Sequence, residues 1–442
     1  MIVSGCGVAS PSILTPMATA RNNPDQMPND QPNGKPNSNA TPPEPGIAPG
    51  IDPIDPATIA RSFTIDPRIP ALVPGFDAPF FQAGLAGYSD AAMRIIARRQ
   101  GCPLCVTEAL LDRSLLDGGR GFAKADLGEL DSNTPAGPED HPLVGQIMGS
   151  SPDEMAAAAV KMIEQARRSP KAYRLIRERG LASAPDSAGA ITAHDRTFAA
   201  IDVNLACPVK KVSRKARGGH WLCQPEGAVE ILRAVRDAVP SDIPVTLKIR
   251  RGSDDSPEAV ANFYNLFDAA YEIGIAWATV HGRTVAQKYV GPSDWGFLRS
   301  LVRRRPDRLI FGSGDIWSAQ DIFRMLEYTG VHAVSVARGC IGNPWIFRQA
   351  RAMLSGQDPA PPTIAEQRAV LEAHFHLSRQ VNGERKASLL MRKFGLRFAA
   401  HHPSGEEVRR RFIEVRSTDE WLAVLDEWYR TDAPRAHVCA HS

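Results

Sequence analysis

The feature that most restricts what this chain can fold into is a repeated alternation of short apolar runs with longer stretches of helical periodicity. Eight runs recur in order, at 80–83, 104–107, 143–147, 200–203, 245–249, 278–281, 309–312 and 333–336. Runs of this length bounded by turn residues read as buried strands. Between most of them lie segments with apolar residues at helical spacing, including 152–167, 225–239, 257–273 and 318–328. Eight strand–helix units over roughly 280 residues predict an α/β fold, an eight-stranded parallel (β/α)8 TIM barrel. A doubly wound open sheet is the competitor, weakened because no Gly-x-Gly-x-x-Gly follows the first run.

In such a barrel the functional groups sit at the C-terminal ends of the strands. Those ends carry Gly84-Leu85-Ala86-Gly87, Glu108, Gln146, Asn204 with Cys207, Lys248 with Arg250, His281 with Arg283, Gly314-Asp315, and Arg338-Gly339. Polar groups at nearly every strand mouth are hard to explain by packing and predict one convergent site. The glycine-rich turns at 312–315 and 337–339 follow runs seven and eight, where backbone N–H groups can approach a phosphate closely.

The densest signal is the stretch 201–224. An apolar run breaks at Asn204 and Pro208, presents one thiol at Cys207, then places Lys210, Lys211, Arg214, Lys215 and Arg217 within eight residues. A thiol at a strand end beside a basic loop points to chemistry on a polyanion. The same residues also suit a structural cysteine beside a solvated charge run.

Several of these motifs, in this order, resemble the tRNA-dihydrouridine synthases. They are Asn204-Leu-Ala-Cys207-Pro208 followed by Lys-Lys-Val-Ser-Arg-Lys, Leu247-Lys248-Ile249-Arg250, His281-Gly282-Arg283-Thr284, and Gly314-Asp315-Ile316 ahead of Ala337-Arg338-Gly339-x-x-Gly342-Asn343-Pro344-Trp345. The form of the basic segment is most similar to the bacterial branch that acts in the tRNA D-loop. The resemblance implies noncovalent FMN reduced by NADPH, and reduction of the C5–C6 bond of a uridine in tRNA. It implies Cys207 as the acid that protonates C5, a role suited to a thiol whose ordinary pKa is about 8.5. The neighbouring cations are expected to lower that pKa and the apolar flank to oppose them. It further implies cofactor contacts from Gly84, Leu85, Ala86, Gln146, Lys248, His281, Ser313, Gly314, Asp315, Ala337 and Arg338. RNA contacts are expected from Asn204, Lys210, Lys211, Arg214, Lys215 and Arg283. Three positions depart from the family pattern: Gly84-Leu85 stands for Pro-Met, Ser313 for Asn, and Ala337 for Gly.

Outside the barrel, residues 1–62 hold 12 of the 36 prolines, mixed with Asn, Gly and Ser. Such a segment cannot offset its ordering entropy by burial and reads as a disordered tail. The barrel is expected over 63–355, with an insertion at about 168–196 on the face opposite the site. A helical domain follows at 363–430. Between Arg385 and Arg416 nine Lys and Arg face three acids. Lys386, Arg392, Lys393 and Arg397 could share one face of it, either as a solvated surface or, by the resemblance, as a tRNA contact. The net charge of +3 leaves attraction to RNA to such local patches. Seven scattered cysteines, no apparent leader and no long apolar run predict reduced thiols and a cytoplasmic monomer. Cys102-Pro-Leu-Cys105 has metal-like spacing, but nothing completes a ligand set, so no metal is expected. Three other readings stay open: Lys248 as a Schiff-base lysine, an FMN barrel acting on a free pyrimidine, and a non-catalytic tRNA-binding barrel.

Overall fold

The computed structural model describes residues 55–116, 138–168 and 198–430. The expected insertion, apart from Arg168, and the tail up to residue 54 lie outside them. Eight parallel strands form the centre: β1 (Phe80–Gln82), β2 (Cys105–Val106), β3 (Leu143–Met148), β4 (Ala200–Leu205), β5 (Val245–Arg250), β6 (Ala278–His281), β7 (Ile310–Ser313) and β8 (Ala333–Val336). Each pairs with the next, and β8 pairs back onto β1, so the sheet closes into the expected TIM barrel. A two-residue strand, Leu110–Leu111, extends the pairing beside the end of β3. Closure removes every free strand edge, which an open doubly wound sheet would leave exposed.

Strand alternation divides the barrel interior into two layers, because successive side chains point to opposite faces. At the N-terminal end, Phe81, Val106, Val144, Ala200, Trp277, Phe311 and Ala333 meet in an apolar cluster, closed from below by Ile69, Val73 and Phe76. The Phe81 and Phe311 rings lie 5.7 Å apart, and Phe76 meets each edge-on at 5.9 Å. One step further along the same strands, the interior turns polar with Gln146, Asp202, Thr246, Lys248, Thr279 and Ser335. The outward-facing residues are apolar and meet the helices, as where Phe80 stacks on Phe347 at 6.1 Å. The barrel is therefore a plugged core with a polar mouth.

Helices surround it: α1 (Pro56–Ser62), α2 (Ala91–Arg99), α3 (Asp112–Leu116), α4 (Pro152–Arg168), α5 (Pro225–Ala238), α6 (Pro257–Ile273), α7 (Trp295–Arg304), α8 (Ala319–Thr329) and α9 (Trp345–Leu354). Their ends follow local chemistry. Ser256 caps α6 ahead of Pro257, and Ser318 and Asp321 form a capping box on α8. Helix α1 corrects the expected tail boundary. Asp55 caps it, and its buried Ile59 and Ala60 pack against α8 and α9, so order begins before residue 63. Two apolar side chains in one short turn suffice for this, a pattern hidden by the proline-rich composition around it.

The C-terminal region is helical: α10 (Ile364–Asn382), α11 (Glu384–Phe398), α12 (Gly405–Glu414) and α13 (Thr418–Trp428). Its core stacks Phe375 on Trp421 at 4.4 Å, with Phe412 alongside at 6.1 Å. Helix α10 lies against α2 of the barrel. Among the described residues, no helix is long and apolar enough to cross a membrane.

Candidate active site at the barrel mouth

The polar interior layer is built by strand register. Gln146 on β3 lies beside Asp202 on β4, Asp202 beside Thr246 on β5, and Asn204 beside Lys248. Lys248 then neighbours Thr279 on β6, and His281 neighbours Ser313 on β7. Gln146, Asp202, Thr246, Lys248 and Thr279 line a pocket in the barrel interior. A second pocket opens above β6 to β8 between His281, Ser313, Gly314, Asp315, Trp317, Ala337 and Arg338. Ser335 lines both, and its buried hydroxyl has no partner among the described residues. Two glycines at the mouth are packed too closely against protein to carry a side chain. A Cβ at Gly84 would collide with the Thr107 carbonyl oxygen, and one at Gly314 (φ +124°) with Ser293 Oγ. The substitution of Gly84 for the family's proline thus sits where backbone and Gln146 already fill the room.

Charge in this mouth is concentrated and poorly hydrated. Burial lowers the Lys248 pKa to about 8, opposed by the nearby Asp202 carboxylate. Burial, with Arg250, Lys248, Arg283 and Arg338 around it, holds His281 well below the ordinary imidazole range, so the ring is neutral. Its Nδ1 accepts the Arg283 N–H at 3.0 Å, which leaves Nε2 as the ring's N–H. Arg338 is half-exposed, stacked over Trp317 at 4.7 Å and Tyr289 at 5.1 Å, and meets Asp315 at 3.4 Å.

Cys207 stands above Asn204 on the loop that leaves β4. Its carbonyl accepts the Gly219 N–H at 3.0 Å, and a Cβ on Gly218 would come within 2.8 Å of its own Cβ. Arg250 donates to the Ala206, Thr284 and Lys288 carbonyls, each at 2.8 Å, pinning this loop to the one after β6. The thiol is half-buried, and burial pushes its pKa up despite Arg250 and the Val209 N–H. Of the two opposed effects expected from the sequence, burial is the larger, and Arg214 and Lys215 are exposed to solvent. The side chains of Lys210 and Lys211, on the short helix Lys210–Ser213, lie outside what is described.

Three cations expected to face solvent or RNA are buried or half-buried on protein partners. Arg283 is fully buried, with Asp315 at 2.7 Å, so it cannot reach an RNA. It braces the turn after β7 instead, where Asp315 (φ +55°) also accepts the Ser293 N–H at 2.7 Å. The Asp315 carboxylate is therefore engaged by Arg283, Arg338 and the Ser293 N–H. Arg217, the last cation of the basic run, is buried on Asp112 at 2.8 Å. Lys393 caps the Gly87 carbonyl and lies 4.2 Å over the Tyr88 ring, so it joins α11 to the barrel rather than facing solvent. Leu85 spends its backbone N–H on Ser89 Oγ at 2.7 Å, and Ala86 is exposed beside it. Lys386 and Arg392 are half-exposed and Arg397 exposed on α11, with Arg397 close enough to depress the Arg338 pKa.

Asp202, Thr246, Thr279 and Ser335 were missed by a reading confined to strand ends. Period-two alternation back along the same strands would have found them.

The family model Dihydrouridine synthase (Dus) matches residues 183–433. A probable tRNA-dihydrouridine synthase of Treponema pallidum (strain Nichols) is 30% identical over 351 residues, covering 78% of this chain and 91% of that protein. tRNA-dihydrouridine synthase B of Klebsiella pneumoniae is 32% identical over 65% of this chain and 78% of its own. The Shewanella oneidensis protein of that name is 32% identical over 72% and 83%. Among solved structures, histamine dehydrogenase from Rhizobium sp. 4-9 aligns at a TM-score of 0.42 and 13% identity, covering 73% of this chain and 51% of that one. With a family model spanning more than half of the chain and a relative matched over nearly its whole length, the chain belongs to the dihydrouridine synthase family.

Proposed function

We propose that this protein reduces specific uridines of tRNA to 5,6-dihydrouridine, with noncovalent FMN at the barrel mouth and NADPH as its reductant. The observation that carries the reading is a half-buried thiol on the loop that leaves β4, held beside Arg250, whose guanidinium donates to the neighbouring Ala206 carbonyl. The residues fit such a cofactor. Ser335 lines both pockets and offers a buried hydroxyl without a partner among the described residues. Gln146, Lys248 and His281 would hold its ring system, and Arg338 with the turns at Gly314 and Ala337 its phosphate. Bound FMN would supply the hydride that reaches C6 of the uracil ring.

The chain's own part is to hold charge and move one proton. Lys248 presents a buried ammonium where negative charge would gather. Neutral His281 offers an N–H without adding a cation to a site that already holds Arg250, Arg283 and Arg338. Cys207 Sγ gives its proton to C5, so hydride and proton together saturate one bond and leave a thiolate for solvent to reprotonate. Asn204 is fixed beneath it by hydrogen bonds on both ends of its amide. Arg214, Lys215 and Arg397 are exposed for phosphate contact.

The test is direct. The purified protein should be yellow, and heat-released flavin should be FMN. tRNA from a strain lacking the protein should lose dihydrouridine at defined positions and regain it on incubation with protein and NADPH. Colourless protein after reconstitution, or tRNA whose dihydrouridine is unchanged by the deletion, would overturn the reading.

A further inference from the structure

An unbroken row of hydrogen bonds runs across the barrel interior to the residue before Cys207. Thr246 Oγ1 donates to Asp202 Oδ1 at 2.6 Å, and Gln146 Nε2 donates to Asp202 Oδ2 at 2.8 Å. Asn204 Nδ2 donates to Gln146 Oε1 at 2.8 Å, and the Ala206 N–H donates to Asn204 Oδ1 at 2.9 Å. Every donor in the row points back toward Asp202. All five residues are buried.

The direction of the row has one cause. An amide side chain has nearly the same outline either way round and can present its oxygen or its nitrogen to a neighbour. An ionised carboxylate only accepts. Asp202 therefore draws the Gln146 nitrogen toward itself, which turns the Gln146 oxygen to Asn204. That oxygen draws the Asn204 nitrogen, which turns the Asn204 oxygen to the Ala206 N–H. Reversing either amide would set oxygen against oxygen or N–H against N–H among buried residues, where unmatched polar groups are most costly.

We propose that Asp202 is a positioning residue that, through Gln146 and Asn204, fixes the backbone carrying Cys207. It acts at a distance of three hydrogen bonds and touches neither the thiol nor the pocket above β6 to β8. The charge it needs is supported locally. Burial raises the Asp202 pKa, while the Thr246 and Gln146 hydrogen bonds and the Lys248 ammonium on β5 hold it down; Arg250 and His281 lie beyond Lys248. Only the catalytic meaning of a well-placed thiol rests on the function proposed above; the row itself does not.

The experiment is a cycle of isosteric substitutions read by the alkylation rate of Cys207, resolved by peptide mass spectrometry with iodoacetamide on the full chain as purified. Peptide resolution is needed because Cys223 is exposed and reacts as well. Asp202→Asn removes the acceptor-only end and frees both amides to turn, so alkylation should quicken about threefold or more. Gln146→Glu alone sets two carboxylates face to face and should quicken it similarly. With both substitutions, the new amide donates to the new carboxylate, which still accepts from Asn204. The row regains its direction, and the rate should return to within about twofold of the natural chain. An unchanged rate in Asp202→Asn, or a double variant no slower than the singles, would overturn the proposal. If Asp202→Asn fails to fold, a folded double variant with near-natural alkylation supports it and an unfolded one overturns it. Alkylation requires neither tRNA nor NADPH, so failure of the proposed function in the deletion strain would leave this result standing.

Discussion

Burial raises the Cys207 pKa against the nearby Arg250 guanidinium, so the thiol is available as a proton donor. Cys207→Ala should keep the fold, the flavin content and reduction by NADPH, since none of these uses the thiol. Reoxidation of the reduced flavin by tRNA should fall by about 10²–10⁴, measured by stopped-flow absorbance. Equal losses in both half-reactions would indicate a structural cysteine instead. Gly84 poses the opposite case, where adding an atom is the harm. A Cβ there would collide with the Thr107 carbonyl and lie 3.2 Å from Gln146 Oε1. Gly84→Ala should cost about 1–3 kcal/mol in thermal unfolding and lower flavin occupancy, seen in the absorbance ratio of purified protein. At this scale the sequence was legible where chemistry is rare: one thiol, one lysine and one histidine stood out at strand ends. It was not legible where a common residue is defined by its neighbour. Arg283 looked like an RNA contact because nothing in its own motif shows Asp315 arriving from β7 to bury it.

Elements show the same contrast. The eight strands were readable because burial on both faces demands continuous apolar runs, and closure followed from their number. The loop after β4 was readable only in part, since its cations divide by direction: Arg217 turns inward to Asp112 while Arg214 and Lys215 remain in solvent. Reversing the two outward charges (Arg214→Glu with Lys215→Glu) should raise the KM for tRNA and reduce the salt slope of binding by about 2, as expected for two lost phosphate contacts. NADPH oxidation without tRNA should stay the same. Helix α11 divides likewise, with Arg397 outward and Lys393 inward. Burial lowers the Lys393 pKa while Asp90 and Glu108 support its charge. Lys393→Met should destabilise the chain by about 1–3 kcal/mol, the value of a hydrogen bond to a charged group, and speed amide exchange around Gly87. Helical periodicity alone could not separate these two cations, because both lie on the flank between core and solvent.

Across the whole molecule, acid sensitivity should come from buried neutral histidines. Burial lowers His374 to about 4, and both its ring nitrogens are without a partner among the described residues; His401 is likewise held at about 4. Their pKa values in the unfolded chain are near 6.5, so between about 6.5 and 4 the unfolded chain binds more protons and stability falls as pH drops. Each contributes a slope of about 1.4 kcal/mol per pH unit in that window. The loss of melting temperature between pH 7 and pH 5 should be smaller in His374→Leu than in the natural chain. The Phe394 ring beside His374, at 4.4 Å, belongs to the same seam that joins the helical region to the barrel. Tyr88 meets Phe394 edge-on at 5.5 Å, Asn382 bonds Asp90 at 3.0 Å, and the Gly87 peptide is gripped by Glu108 through its N–H and by Lys393 through its carbonyl. These contacts tie α10 and α11 to the loop after β1, so on the function proposed above the helical region and the barrel mouth would meet the tRNA together.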